Sequence, residues 1–479
     1  MNLNREELLD KIYGCWIGKS IGGTLGTPFE GRKEILDVKG FTSKPGQPLP
    51  NDDLDLQLVW LKALEQYGPL GINEQILGEY WLNYIPPQWN EYGICKSNMR
   101  AGLLPPLSGE HENVWKNSNG AWIRSEIWAC CTPGRPDLAA KYAYYDACVD
   151  HGVSEGTYAE LFTAALESAA FVTGDCESLI EIGLSYLPPD CRVARSVQMV
   201  VNGYKSGLDW KTVRQQVTDD SADLGWFQAP ANIAYFVIGW LYGEGDFKKS
   251  LLIAVNCGDD TDCTTGTLGA LLGILGGRKA IPQDWAAYIG DDIVTVAIDR
   301  GSYVGIPATC TLLAERVLAI SYQTQAAFHT GITITDMPTN IEDVTLSALQ
   351  ANDTYREWLD LLDGSLTYEF IHTTARIHYV TGVNLAKGGQ AELKITLINR
   401  LPEPRYYEVQ YYLPEGITLE EGPKHINLMH YSANTSLEKS FSVRLSAEKE
   451  LLFQNRGIIQ LVAEGRPTVI TLPVILLGE

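Results

Sequence analysis

One short acidic run, Gly258–Cys263, constrains the fold of this chain more than any other stretch of its sequence. It reads GDDTDC and places three carboxylates within four positions. The apolar segment Leu251–Val255 precedes it, and small residues and leucines at helical spacing follow it up to Gly276. The acidic turn therefore lies between two segments that are expected to be buried. A hard divalent cation would compensate such clustered carboxylates best. The alternative is a solvated, acidic helix N-terminus that the helix dipole favours.

A second acidic cluster opens a long predicted helix nearer the N-terminus. The segment Asn51–Asp55 reads NDDLD, and leucines follow on one face until Gly68 ends the helix. Asn51 is a good N-cap, and Asp52 and Asp53 then fall in the first turn, where their side chains diverge and could serve two ions. Two acidic clusters at helix N-termini are what a two-metal carboxylate site requires. We therefore predict that the aspartates of the two clusters meet in the fold.

The two clusters together resemble the paired signatures of the ADP-ribosylglycohydrolase family, which includes the dinitrogenase reductase-activating glycohydrolases. The family pattern is Thr-Asp-Asp near the N-terminus and Gly-Gly-Asp-Thr-Asp-Thr toward the end of the domain. The resemblance runs from about residue 5 to about residue 320. It includes the Gly-rich stretch Gly14–Glu30, the segment Asn119–Ala121 with Arg124, and His151 before Gly152.

The resemblance implies a dinuclear magnesium site, at which manganese is also possible. The implied metal ligands are Asn51, Asp52, Asp53, Asp260, Asp262 and Cys263. Three positions depart from the family pattern, because Asn51, Asp259 and Cys263 stand where the family has Thr, Gly and Thr. Asn51 still offers a carbonyl oxygen, but the thiol of Cys263 is a poor ligand for magnesium. We therefore expect weaker magnesium binding at the Cys263 position, and better tolerance of manganese or zinc there.

Cleavage of a glycosidic bond through an oxocarbenium-like state needs a base that activates water. Glu30 matches the position of a catalytic glutamate in part of the family, and Asp53 is the second predicted catalytic residue. Without the resemblance, Glu30 would equally be a surface acid in a Gly-rich loop. Asp55 is a rival base, although solvation is the commoner fate of an acid on a helix.

The resemblance also implies a substrate-binding loop whose backbone amides could cradle a diphosphate. The predicted substrate-binding residues are Ser118, Asn119, Gly120, Ala121 and His151. An ordinary helix N-cap is the alternative for the loop. For His151 we prefer a hydrogen-bonded structural role. The functional alternative is that His151 holds a site residue in position without touching the substrate or the metal itself.

Charge and composition narrow the possible partners and location. The formal net charge of −22 repels nucleic-acid phosphates and anionic membranes, so neither is expected as a partner. The N-terminus has no apolar signal core and no apolar run reaches membrane-spanning length, so we expect a cytoplasmic protein. The ten cysteines include no Cys-x-x-Cys pair, which indicates reduced core cysteines rather than a structural zinc site.

The periodicity of the sequence changes after residue 321. From Asn4 to about residue 320 helical signals recur, beginning with a capping box formed by Asn4 and Glu7. From Leu366 the sequence alternates in strand fashion, with about seven short strands typical of an immunoglobulin-like β-sandwich. We predict an all-α, ADP-ribosylglycohydrolase-like catalytic domain at residues 1–330, a connecting segment at 331–365 and a β-sandwich domain at 366–479.

Three functional hypotheses remain open at this point. The first is a magnesium-dependent glycohydrolase that removes ADP-ribose from a protein side chain or a small molecule. The second keeps the metal site but hydrolyses another riboside or glycoside. The third is a non-catalytic ADP-ribose-binding homologue, and the presence of all four metal-site aspartates argues against it.

Overall fold

The computed structural model describes residues 1–299, 301–401, 403–428 and 438–478. The chain divides into two compact units. The helical unit comprises Met1–Lys96 and Ser108–Leu361, and the β unit comprises Ser97–Leu107 and Leu362–Glu479. The β unit therefore takes a short segment from within the helical part of the sequence as well as the C-terminal part.

The helical unit consists of α-helices joined mostly by short loops, which confirms the predicted helical character of this region. In chain order the helices are α1 Arg5–Gly26, α2 Asp52–Tyr67, α3 Glu74–Tyr84, α4 Asn90–Arg100, α5 Leu107–Glu110, α6 Glu126–Cys131, α7 Pro136–His151, α8 Glu155–Ala169, α9 Cys176–Ser185, α10 Arg192–Lys205, α11 Trp210–Asp220, α12 Ala229–Gly243, α13 Phe247–Asn256, α14 Thr261–Gly276, α15 Gln283–Ile289, α16 Cys310–Ala327, α17 Leu346–Leu349 and α18 Asp353–Asp360. Two of these, α4 and α5, cross the boundaries of the segment that belongs to the β unit. Within the described part of the chain, no helix has the length and apolar character needed to cross a lipid bilayer.

A small parallel ladder ties the N-terminus to the segment that follows α16. Strand β1, Asn2–Asn4, pairs with β2, Thr333–Thr335, and Leu3 stands opposite Ile334. Asn4 also caps α1, because its side-chain oxygen accepts hydrogen bonds from the backbone amides of Glu6 and Glu7. The helix start predicted at Asn4 is present, whereas the ladder has no signal in the local sequence.

Helices α1 and α14 pack backbone against backbone through facing small residues. A Cβ atom added to Gly18 would lie 2.1 Å from the carbonyl oxygen of Gly269, so only glycine permits this approach. The closely facing pairs are Gly14 with Gly273, Gly18 with Gly269, Gly22 with Thr265, and Gly26 with Thr261. This order shows that the two helices run antiparallel, so the C-terminal end of α1 lies beside the N-terminal end of α14.

The β unit contains two five-stranded sheets. Its strands are β3 Leu366–Glu369, β4 Thr373–Tyr379, β5 Asn384–Leu385, β6 Gln390–Asn399, β7 Arg405–Tyr412, β8 Ile417–Glu421, β9 His425–Leu428, β10 Glu438–Ala447, β11 Gln454–Ala463 and β12 Val469–Gly478. The sheet orders are β3-β4-β6-β10-β8 and β5-β12-β11-β7-β9, and within these two sheets only the β5–β12 pair is parallel among the described strands. The strand-rich prediction is confirmed, and the immunoglobulin-like topology stays a prediction.

One apolar core is shared by the two sheets of the β unit. It includes Leu393 from β6 and Leu461 from β11, which alternate with more exposed neighbours along their strands. Leu103, from the segment 97–107, belongs to the same core. The side-chain amide of Gln454 donates a hydrogen bond to the carbonyl of Ala101. The segment 97–107 is therefore part of the hydrophobic core of this unit.

We expect Gly18→Ala to lower the free energy of unfolding by about 1–3 kcal/mol, because the added methyl group overpacks the α1–α14 contact. Alanine is intrinsically more favourable than glycine within a helix, which works in the opposite direction. A net loss of free energy of unfolding would therefore come from the packing effect. Urea denaturation followed by circular dichroism would measure it. Gly174→Ala is the control, since a Cβ atom there meets no atom within 4 Å. Equal stabilities for the two variants would contradict the proposed contact.

Candidate active site

The N-termini of α2 and α14 bring their acidic residues together beside the loop that follows α1. Glu30, Asp260 and Asp262 place one ligand atom each within 4.8 Å of one another, and so do Asp53, Asp262 and Cys263. We call the first set the oxygen group and the second the thiol group. Because Asp262 belongs to both groups, the two sets form one continuous cluster of donor atoms.

The first turn of α2 is held by its cap and by a neighbouring tyrosine. The Oδ1 atom of Asn51 accepts a hydrogen bond of 2.8 Å from the backbone amide of Asp53. Its Nδ2 atom faces Gly23, where a Cβ atom would lie only 2.2 Å away. The hydroxyl of Tyr92 donates a 2.9 Å hydrogen bond to Asp52. Asn51 thus acts as the predicted N-cap, and its oxygen keeps a second lone pair that could reach a cation.

At the start of α14, two asparagines orient the aspartates. The side-chain amide of Asn119 donates a 2.7 Å hydrogen bond to Asp260. The backbone amide of Asp260 donates one of 3.2 Å to Asn232 Oδ1. Because Asn119 also accepts a 3.0 Å hydrogen bond from Trp122, its amide is fixed with the NH₂ group toward Asp260.

Asp259 fastens the loop that carries Glu30 to the start of α14. Its backbone accepts a 2.9 Å hydrogen bond from Gly31 and donates one of 2.6 Å to Arg32. Its side chain accepts hydrogen bonds from the backbone amide of Phe227 and the side chain of Asn232. Asp259 has a φ of 68°, in the left-handed region that glycine, asparagine and aspartate tolerate best. Glycine at this position in the family pattern and aspartate here satisfy the same backbone requirement.

Burial raises the pKa of each acid in the two groups. The pKa values of Asp53 and Asp260 lie well above their usual range because both carboxyl groups are desolvated and both face Asp262. Burial also raises the pKa of Asp262 to about 6, with Asp52 adding to the effect. It raises the pKa of Glu30 to about 8, where Asp262 and Asp52 contribute next. Together these shifts show a surplus of negative charge in a poorly solvated place.

Two oxygen atoms in the cluster show that the donor set fits a cation. Asp53 and Asp262 are 1% and 6% exposed. Asp53 Oδ2 and Asp262 Oδ1 accept no hydrogen bond from any described residue. Buried carboxylate oxygens without partners are costly, and hard divalent ions bind such oxygens. The residues present therefore fit a divalent metal ion.

Lys19 supplies the nearest positive charge to this cluster. Its ammonium group donates hydrogen bonds to Ile123 O at 2.6 Å, Glu126 at 2.7 Å and Thr267 at 3.1 Å, and it lies 3.8 Å from Asp53 Oδ2. Burial lowers the pKa of Lys19, but the facing carboxylates outweigh burial and leave this pKa above its usual value. Lys19 is not among the site residues predicted from the sequence. It is one of two lysines in α1, and no local pattern marks its role.

Asp55 is held by a loop outside the acidic cluster. Its Oδ2 atom accepts hydrogen bonds of 2.6 Å from the backbone amides of both Val296 and Ala297, and its side chain is buried. Its carboxylate is thus neither solvated nor part of the oxygen or thiol group. Asp53, the other α2 acid considered as a base, is the one that enters the cluster.

The predicted substrate-binding residues are buried next to the cluster. Ser118, Asn119, Ala121 and His151 are all buried. His151 Nε2 lies 3.2 Å from the hydroxyl of Ser118, and His151 Nδ1 lies 2.9 Å from Asp150. Of this set, the structure brings Asn119 into contact with the cluster, and it encloses His151 in a hydrogen-bonded network.

A further set of possible ligand atoms, from Glu91, Asp150 and His151, lies within this network. Arg124 donates hydrogen bonds of 3.1 and 2.7 Å to the two carboxylate oxygens of Asp150. Gly120 leaves room for Glu91, because a Cβ atom there would lie 2.0 Å from Glu91 Oε1. The guanidinium of Arg124 already provides a cation for Asp150, so we interpret Asp150 as part of a structural ion-pair network.

A stacked aromatic pair lies next to the Glu30 loop. Trp226 and Phe227 have ring centroids 4.3 Å apart and an interplanar angle of 22°. Trp226 is 38% exposed, and a Cβ atom on Gly31 would lie 3.0 Å from its ring. Lys33 places its ammonium group 4.6 Å from the same ring. The exposed part of such an aromatic side chain can contact a sugar ring or a base.

Comparisons with known proteins agree with this arrangement. Residues 4–324 match the family described as ADP-ribosylglycohydrolase. The chain is 23% identical over 297 residues to the ADP-ribosylarginine hydrolase Tri1 of Pseudomonas putida (strain GB-1), an alignment that covers 59% of this chain and 75% of that protein. It is 22% identical over 296 residues to an uncharacterized protein of Archaeoglobus fulgidus, with coverage of 59% and 92%.

One solved structure, described as an ADP-ribosylglycohydrolase-related protein complex, is 20% identical to this chain. Its match covers 67% of this chain and 99% of that chain, with a TM-score of 0.45.

We expect Lys19→Met to lower the free energy of unfolding by about 3–5 kcal/mol in metal-free buffer, because it leaves Glu126 buried without its cation. Lys39→Met is the control, since Lys39 and its partner Asp37 are both exposed and surface pairs contribute little. Chemical denaturation of the two variants and the wild type measures the difference. Matching midpoints for the two variants would show that Lys19 does not stabilise the buried acids.

Proposed function

The chain belongs to the ADP-ribosylglycohydrolase family, and we propose that it is a magnesium-dependent glycohydrolase that cleaves the glycosidic bond between ADP-ribose and a protein side chain or small molecule. One observation carries the proposal, namely that Glu30, Asp260 and Asp262 converge with Asp53 at two facing helix N-termini. The Pseudomonas putida relative is described as an ADP-ribosylarginine hydrolase. ADP-ribosylated arginine is therefore the first substrate to test.

Two magnesium ions would be held by the acids of the two helix starts. Asp53, Asp260 and Asp262 are the proposed ligands within the two groups. Asp52 and the free lone pair of Asn51 would contribute from the edge of the cluster. When bound, such ions orient and polarise the adjacent ribose hydroxyls beside the anomeric carbon. The sharing of Asp262 between two donor groups supports two positions rather than one.

Glu30 is the proposed base. It sits on an exposed loop, and its carboxylate reaches to within 4.8 Å of ligand atoms of Asp260 and Asp262. Glu30 would take a proton from the water that attacks the anomeric carbon, and it could return that proton to the leaving group. Asp53 is the alternative base. Its carboxylate is buried 3.8 Å from Lys19, which suits a ligand better than a group that must reach water.

The surroundings of the cluster would position the substrate. We propose that the exposed part of Trp226 contacts a ring of the substrate and that Lys33, whose ammonium group lies over the Trp226 ring, offers a positive charge to a phosphate. We propose that Asn119 orients Asp260 and borders the bound ribose. The predicted diphosphate contacts of Ser118, Gly120 and Ala121, and the support from His151 behind them, remain part of this proposal.

The departures in the ligand set favour a second candidate, in which the same chemistry acts on another riboside. Asn51 and Cys263 both replace threonine of the family pattern, and they stand at the starts of the two helices that carry the acids. A changed coordination there would change which sugar is held best.

We expect purified protein to hydrolyse ADP-ribosyl-arginine with magnesium and to lose this activity in excess chelator. Asp262→Ala should abolish turnover, because it removes the carboxylate common to both groups. Glu30→Gln should lower kcat by about 10²–10⁴-fold while leaving magnesium affinity, measured by calorimetry, close to wild type. Product release followed by chromatography gives the rates.

Asp353→Ala is the control for these variants, because Asp353 is an exposed acid at the start of α18. ADP-ribosyl-serine and a panel of ribosides should be assayed in parallel. Turnover of a riboside alone would select the second candidate. Full activity of Asp262→Ala, or activity that ignores chelation, would exclude the proposed metal-dependent mechanism.

A further inference from the structure

Cys263 occupies an unusual place for a buried cysteine. It lies in the first turn of α14, and its Sγ atom is 3.7 Å from Asp53 Oδ1. The thiol is buried and forms no disulfide. The sulfur lies within 4.8 Å of carboxylate oxygens from two helices, those of Asp53 on α2 and Asp262 on α14. A cysteine whose only role is core packing is expected among apolar side chains.

Two carboxylate oxygens near this sulfur have no hydrogen-bond partner among the described residues. Asp53 Oδ2 and Asp262 Oδ1, both buried, accept no hydrogen bond within the described part of the chain. The ammonium nitrogen of Lys19 lies 3.8 Å from Asp53 Oδ2 and donates its hydrogen bonds to other groups. The thiol group thus offers one sulfur and, from Asp53 and Asp262, two carboxylate oxygens without hydrogen-bond partners.

The oxygen group differs from the thiol group in kind. Glu30, Asp260 and Asp262 present oxygen only, which suits magnesium because that ion prefers hard oxygen ligands and water. A sulfur ligand instead favours the later divalent transition ions, and carboxylates remain acceptable to these ions. Two neighbouring positions that share Asp262 therefore have different metal preferences.

We propose that the two positions hold unlike ions, with magnesium bound to Asp260 and Asp262 of the oxygen group and a borderline divalent ion such as zinc or cobalt bound to the sulfur of Cys263 in the thiol group. This inference rests on the proposed function only for the presence of a dinuclear site. On binding, the thiol proton passes to the buffer and the sulfur coordinates as thiolate. The thiol group then selects the ion, whatever substrate the enzyme acts on.

Cobalt titration of the metal-free full chain tests the inference without any substrate. In excess magnesium, the wild type should take up one equivalent of Co²⁺ with a thiolate-to-cobalt charge-transfer band in the near ultraviolet. Cys263→Ser should lack this band, and Cys257→Ala should keep it. Cys257 is a matched control because it is also buried, lies six positions earlier in the same segment, and belongs to neither group.

Affinities give a second readout. Loss of a supporting group beyond the direct ligands typically costs about 10–100-fold in metal affinity, so loss of the sulfur should weaken Co²⁺ binding by at least that factor. Cys263→Thr should bind magnesium more tightly than the wild type at this position. The absence of a band in the wild type, or an unchanged band in Cys263→Ser, would overturn the inference.

X-ray absorption of the zinc-loaded wild type keeps the test independent of variants that fail to fold. It should show a sulfur neighbour at about 2.3 Å from zinc, and a shell of oxygen and nitrogen alone would refute sulfur coordination. Failure of the proposed function is separable, because it would leave the cobalt band in place while ADP-ribosylated substrates stay intact. Hydrolysis with magnesium but without the band would reject only this inference.

Discussion

The contact between the backbones of α1 and α14 determines where the rest of the helical unit can place its chemistry. Gly18 and Gly269 meet with no side chain between them, and the antiparallel order brings the end of α1 to the start of α14. The loop after α1 therefore carries Glu30 to Asp260 and Asp262, and Asp259 fixes that loop by backbone hydrogen bonds. The geometry of the site follows from a packing requirement located one to three helical turns away from it.

The acidic cluster gathers like charges that a fold must otherwise avoid. Its placement at two helix N-termini helps, because the exposed amides and the helix dipoles favour negative charge there. Lys19 adds a buried positive charge beside Asp53, and Arg124 forms ion pairs with Asp146 and Asp150 in the neighbouring network. These compensations remain incomplete, as the raised pKa values of Asp53 and Asp260 show. Binding of a cation at the proposed site would consequently stabilise the folded chain.

The local sequence was sufficient to predict the acidic cluster, but not the residues that hold its carboxylates and its loop in place. Asp53, Asp260 and Asp262 stood out because carboxylates are rare beside long apolar runs, and the change of periodicity after residue 321 separated helical from strand-rich sequence. Lys19 and Asp259 act through partners far away in the chain, so no short pattern marks their roles. The membership of Leu103 in the core of the β unit is likewise a matter of tertiary packing, since it lies in a short loop between the helices α4 and α5.

The segment 97–107 makes the β unit a discontinuous one, which matters for anyone who wishes to cut or recombine this protein. A truncation after residue 361 would remove both sheets but leave Leu103 and its neighbours behind, stripped of the apolar surface that covers them. Conversely, an isolated C-terminal fragment would lack a piece of its own core. Recombination at residue 361 would thus produce two incomplete units. An exchange of the whole β unit has to include the segment 97–107 together with the C-terminal strands.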